Sequence, residues 1–166
     1  MGLTLWRRES EVKTVAENNA TAEEQFVYDW LSTLLAALDA NLPPETKAAL
    51  LQGCAAVHYR SINMDELVAQ YRGNVEGFLQ LLSEKWLWKV AYDKEAQIIT
   101  ADENKSACVC PLVQKAPGLA SPALCHCSEG FAERMFSAVA ERPVKAQVTR
   151  SILRGDKSCV YTIRIL

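Results

Sequence analysis

Residues 144–166 read VKAQVTRSILRGDKSCVYTIRIL, and this stretch decides the fold. Two β-rich runs, VKAQVTRSIL and SCVYTIRIL, flank Arg154, Gly155, Asp156 and Lys157, which have the composition of a turn. Tyr161, Ile163 and Ile165 alternate with Val160, Thr162 and Arg164, the period of a half-buried strand. The same turn is expected to set Cys159 at the start of the last strand, near the sheet core. Working outward, LWKVAY and AQIIT form a second pair of strand-length runs, with Asp93, Lys94 and Glu95 suited to the loop between them. Between the two pairs lies CHCSEGFAERMFSAVAER. It reads as a loop entering a helix over residues 127–142, capped by Ser128 and burying Phe131, Met135, Phe136 and Val139. The order predicts a ββαββ antiparallel sheet unit, not a parallel doubly wound sheet.

Upstream the period is that of helices. Thr21 and Glu24 form a capping box before Val27, Leu31, Leu34, Leu35 and Leu38. Asn41 and Pro43-Pro44 stop that helix, and Pro44 can open the next at its first position. A third helix is expected behind Asn63 and Glu66, ended by Gly73, and a fourth behind Asn74. Residues 1–20 are polar and aperiodic and read as a loosely ordered arm. The expected organisation is therefore one α+β domain over residues 21–166, helical over 21–86 and sheet-forming over 87–166. The 166 residues match the length of one domain.

Eighteen basic against twenty acidic residues give a net charge of −2. That balance argues against a direct nucleic-acid binder and against a polybasic membrane anchor. The most apolar stretch, residues 31–42, is too short to span a bilayer and carries Asp39. The charges begin early in MGLTLWRRESEVK, unlike a secretory signal, so the expected location is cytoplasmic. Thiols are kept reduced there, and six cysteines need not form disulfides. Several late cations, from Arg134 to Arg164, read as a solvated sheet face. Trp86 and Trp88 read as one strand face packed on helices.

The cysteines are the chemistry-bearing feature. Cys108-x-Cys110 and Cys125-x-Cys127 are two C-x-C pairs in one short segment. In an extended chain the two thiols of such a pair project to one face. Four thiolates suit tetrahedral zinc, with His126 as a substitute ligand, and an iron–sulfur cluster is the lesser alternative. Cys54 and His58, at i and i+4 on an apolar helix stripe, would share a face, as a ligand-binding pair or as a buried thiol beside a satisfied imidazole. Glu129 and Glu133 read as a response to a helix dipole. Cys110 precedes Pro111, whose ring holds it extended and fixes its thiol.

From Cys108 onward, CVCPLV, CHCSEGFAERMF and RPVKAQVTRSILRGDKSCVYTI resemble a group of small bacterial cysteine-rich proteins. The Gly155-Asp156-x-x-Cys159 ending resembles the 4-vinyl-reductase-type small-molecule-binding domain. The Cys110-Pro111 step is similar to one in the L-2-amino-thiazoline-4-carboxylic acid hydrolase-like family. The sensor-type resemblance implies a zinc site built from the final cysteine, an earlier Glu and an earlier Cys, beside an aromatic-effector pocket. Cys159 matches the final cysteine, whereas Val148 and Ser151 stand where the Glu and Cys would be. The first expectation is a sensor-like domain with zinc at Cys108, Cys110, Cys125 and Cys127, or a small-molecule ligand involving Cys54, His58 and Cys159. The rival is a small-molecule hydrolase of C–N or C–S bonds, with Cys110 as nucleophile and His58 or His126 as base.

Overall fold

The computed structural model describes residues 21–166. The expected arm lies outside the described residues. Four helices come first: α1 (Ala22–Asn41), α2 (Pro44–Ser61), α3 (Met64–Ala69) and α4 (Val75–Lys85). Then follow β1 (Lys89–Asp93), β2 (Ile98–Asp102), the short α5 (Pro111–Lys115), α6 (Cys125–Ala140), β3 (Val144–Arg150) and β4 (Val160–Ile165). The strands form one antiparallel sheet in the order β1-β2-β4-β3, so two hairpins meet along β2 and β4. This is the α+β arrangement that the change of period predicts.

Local chemistry sets most boundaries. The Thr21 hydroxyl accepts from the Glu24 amide and the Glu24 carboxylate accepts from the Thr21 amide, closing the capping box. The Asn74 side chain accepts from the Gly77 amide and starts α4. Asn63 behaves differently from a cap: it sits at φ 51°, and its side-chain amide donates to the Glu66 carboxylate instead of accepting from the helix. The segment around Cys108 is irregular, not a strand, and Pro111 opens the unexpected α5. The helix expected at Cys127 begins at Cys125, because Ser121 and Pro122 start a 3-10 turn that runs straight into it. Ser128 therefore lies within α6. The strand expected to reach Leu153 stops at Arg150, and Ile152–Arg154 form a single 3-10 turn. Cys159 is buried one residue before β4, as the Gly155 turn requires.

Phe136, Met135 and Val139 of α6 pack against Ile99 and Ile163 of the sheet and Phe78 and Leu82 of α4. A second cluster joins Leu35 of α1 and Leu51 of α2 to Leu119 and Leu124. Of the apolar stripe on α1 only Leu35 is fully buried; Val27 and Leu34 are exposed, because among the described residues α1 packs mainly on a 3-10 turn and α2. Cys54 is exposed as well, so it is not the small core thiol that its stripe suggests.

Glu129 and Glu133 do more than answer a helix dipole. β3 is an edge strand, and its outward amides are taken by α6: Val148 N–H donates to Glu129 Oε1 at 2.9 Å and Ala146 N–H to Glu133 Oε1 at 3.2 Å. An open strand edge is thereby closed to further pairing. α2 crosses the other side of α6 at Gly130, where a Cβ would stand 2.5 Å from the Gln52 carbonyl oxygen. Gly130→Ala should therefore cost about 1–3 kcal/mol, the usual penalty of overpacking. Gly53→Ala, on α2 with nothing within 4 Å, should stabilise by a few tenths to about 1 kcal/mol through helix propensity. Denaturant melts of the two variants check this, and equal shifts would refute the close crossing.

Candidate functional site

The start of α6, the chain after β2 and the start of β4 converge around one residue, Glu103. Its amide donates to the Cys159 carbonyl at 3.0 Å, which ties the end of β2 to the approach to β4. Asn104 then turns at φ 53°, with its amide donating to Asp102 Oδ1 and its side chain to the Leu87 carbonyl. The turn sends the chain into the irregular segment that carries Cys108 and Cys110. Glu103 is only 5% exposed. Tyr161 O–H donates to its Oε1 at 2.9 Å, while Oε2 is buried without any partner. Burial, opposed by the Tyr161 hydrogen bond, holds the Glu103 carboxyl above the usual carboxylate range.

Two voids meet at Glu103. The smaller, about 20 Å³, is lined by Glu103, Cys108, Cys110, Cys125 and Cys159 together with Tyr161. The larger, about 350 Å³, is walled by Trp86, Trp88, Phe131, Met135 and Tyr161, and Cys110, Cys127 and His58 also line it. Trp86 caps α4 and Trp88 follows Leu87, which sits at φ 61°, so neither lies on a strand as expected. They meet edge to face at 5.5 Å, and Trp88 stacks flat on Tyr161 at 6.0 Å. A concave, mostly aromatic cavity of this size with a few polar groups is the form of a small-molecule site.

The thiols divide between the voids. Cys108, Cys110, Cys125 and Cys159 share the small one, while Cys127 faces the large one with Cys110. Cys54 lines neither, and its thiol lies 3.7 Å from the Leu50 carbonyl. Cys125 Sγ is 3.0 Å from Ser151 Oγ, so Ser151 and Val148, which lines the small void, do stand beside Cys159's end of the sheet. Burial raises the Cys108 and Cys125 thiols and pushes Cys127 and Cys159 up to about 11. They are therefore neutral at physiological pH. Among the described residues, no three His, Cys, Asp or Glu side chains stand as a ready metal-binding group.

The imidazoles have partners other than the thiols. His126 Nδ1 donates to Glu129 Oε2 at 2.7 Å, and His58 packs on the Phe131 ring at 4.6 Å, its pKa lowered by burial. No thiol–imidazole hydrogen bond exists among the described residues. Glu103 and Tyr161, the centre of the arrangement, escaped the sequence reading. Tyr161 was visible only as one inward position of a strand, and Glu103 carried no motif.

An α+β chain with a thiol cluster beside an aromatic cavity is the class that fold and site define. The chain belongs to a family of unknown function, DUF6144, whose model matches residues 8–166. No curated protein matches it. Among solved structures it is similar to a trafficking protein particle complex subunit 3 from Naegleria fowleri, covalently bound to palmitic acid. That likeness has 12% identity, 86% of this chain and 97% of that chain covered, and a TM-score of 0.39. It is also similar to an H-NOX domain from Shewanella oneidensis in the Fe(II)CO ligation state, with 13% identity, 94% and 82% covered, and a TM-score of 0.40. At these scores neither likeness carries an argument about this chain. Among the described residues no helix is long and apolar enough to cross a membrane.

Two outcomes follow from the buried acid and thiols. Iodoacetamide at neutral pH should label exposed Cys54 first and leave Cys125, Cys127 and Cys159 slow, because the thiolate is the reacting form. Peptide mass spectrometry reads the order, and early labelling of Cys159 would contradict its burial. Glu103 holds its proton more tightly folded than unfolded, so its contribution to stability is lost as pH rises above about 4.5, the ordinary value. Glu103→Gln lacks that loss. Its melting temperature relative to the parent should rise from pH 4.5 to about pH 8; a constant difference would show that the acid is not strained by burial.

Proposed function

We propose that this protein is a sensor-like binding domain for a small molecule, seated in the cavity between α6, the end of α4 and the sheet. Glu103 carries the reading. A buried oxygen with no partner costs about 1–3 kcal/mol, and a bound molecule offering a hydrogen offsets that cost. The aromatic walls supply the apolar contact that a small ligand needs. Trp88→Ala should weaken binding of the aromatic, anionic dye 1-anilinonaphthalene-8-sulfonate by roughly tenfold, about the effect of one lost aromatic contact. Leu50→Ala, on an exposed patch of α2, should leave it unchanged. Equal loss in both variants, or no dye binding, would sink the reading.

A second reading is favoured by the thiols around the small void: zinc held at that end of the site. The pattern implied by the vinyl-reductase-type resemblance does not fit, since Val148 offers no donor atom and Ser151 is engaged with Cys125. Cys108 and Cys110 are the thiols that stand near Cys125 and Cys159 instead, with Glu103 as an oxygen donor. Zinc takes four such ligands at about 2.0–2.3 Å, so the Cys108–Cys110 segment would have to close on the start of α6. Binding would displace thiol protons and weaken as pH falls. Elemental analysis of chain purified without added metal tests it. About one zinc per chain, with a melting temperature lowered by chelator, supports this reading; a metal-free chain unmoved by added zinc excludes it.

A further inference from the structure

The two edges of the sheet are finished differently. β3 is closed by α6, whose Glu129 and Glu133 carboxylates take the Val148 and Ala146 amides. β1 has no such cover. Its backbone pairs with β2 on one side, and on the other side no described residue hydrogen-bonds to it. A bare edge is a template for another strand. Along β1 the residues read Lys89-Val90-Ala91-Tyr92-Asp93. Lys89, Ala91 and Asp93 are exposed on one face, while Val90 and Tyr92 take the other and pack on the core. Lys89 and Asp93 make no ion pair among the described residues. Asp93 Oδ1 accepts from the Glu95 and Ala96 amides of the hairpin turn, which leaves its Oδ2 open to a cation.

We propose that β1 is a self-pairing edge: two copies of the chain join antiparallel about a two-fold axis at Ala91, so that two four-stranded sheets become one. This register sets each Lys89 opposite the second copy's Asp93 on the exposed face. On the core face it sets each Val90 opposite the second copy's Tyr92. Opposite charges, and a β-branched residue against an aromatic ring, are the pairs that stabilise facing strands. The alternatives lack them. A parallel, in-register pairing would set Lys89 against Lys89 and Asp93 against Asp93, and an antiparallel slip of two residues would leave Lys89 opposite Ala91. Because β3 is closed by α6, growth stops at two copies. A strand pair of this length is small beside a permanent interface, so the dimer is weak and depends on concentration. The proposal is independent of the ligand-binding reading of the cavity.

Sedimentation equilibrium of the full chain, from micromolar to millimolar concentration, tests it. The average mass should rise from the 18.4 kDa of one chain towards twice that value and no further. Ala91→Glu sets two carboxylates face to face at the axis and should abolish the dimer. Lys89→Glu should raise the dissociation constant at least roughly tenfold, since it turns both ion pairs into like-charge pairs. Asp93→Lys should do the same. An equal mixture of those two variants should dimerise again, because both cross-strand pairs regain opposite charges. Circular dichroism checks that each variant is folded. Asp93→Asn keeps an oxygen for the turn and should weaken the dimer several-fold, so it tests Asp93 if Asp93→Lys does not fold. A monomer at every concentration overturns the proposal, whether the edge stays bare or residues 1–20 of the same chain take it. A dimer untouched by Ala91→Glu and Lys89→Glu uses another surface and overturns it too. A mixture of folded variants no more dimeric than its components refutes the register, and oligomers beyond the dimer refute the closed pairing.

Discussion

The buried carboxyl of Glu129 is the contact on which the rest of the molecule depends. Oε1 accepts from the Val148 amide on the edge of the sheet, and Oε2 accepts from His126 on its own helix and, at 3.4 Å, from Gln52 on α2. One side chain thus joins the sheet, α6 and α2. A carboxyl buried this deeply is tolerated only when its oxygens are hydrogen-bonded, so the three elements are held in one relation. Gly130, the next residue, removes the side chain that would hold α2 away from α6.

That relation creates the site. With α6 fixed against β3, its first turn brings Cys125, Cys127 and Ser128 towards the approach to β4. The pairing of β2 with β4 brings Glu103 to Tyr161 from residues far apart in the chain. The irregular segment after Asn104 then covers the remaining side with Cys108 and Cys110. One void is lined by thiols and the other by aromatic rings, and Glu103 borders both. Cys108, Cys125, Cys127 and Cys159 are buried enough to be neutral, so these four are poised donors rather than charged nucleophiles.

Much of the framework was legible because its causes are local. The Thr21–Glu24 box, Pro44 at a helix start, Asn74 as a cap and the alternation after Val160 each act within a few residues. The misreadings also have local reasons. Ser128 looked like a cap, but Ser121 and Pro122 had already begun the turn. Asn63 matched a capping spacing, yet its left-handed backbone directs its side chain elsewhere. The α1 stripe was periodic, but periodicity states which face is apolar and not how much of it another element covers.

The sequence by itself determined the order of elements, the antiparallel hairpins, the burial of Cys159 and the clustering of cysteines in one segment. These follow from caps, turns and periods that act over short spans. Only the tertiary structure decided that Glu129 and Glu133 close a strand edge, that Trp86 and Trp88 wall a cavity, and that Cys54 is exposed and lines neither void. It alone brought Glu103 to Tyr161 and left Oε2 without a partner. Such facts depend on which residues meet across the sheet and beneath α6, and contacts between distant parts of a chain leave no periodic trace in it.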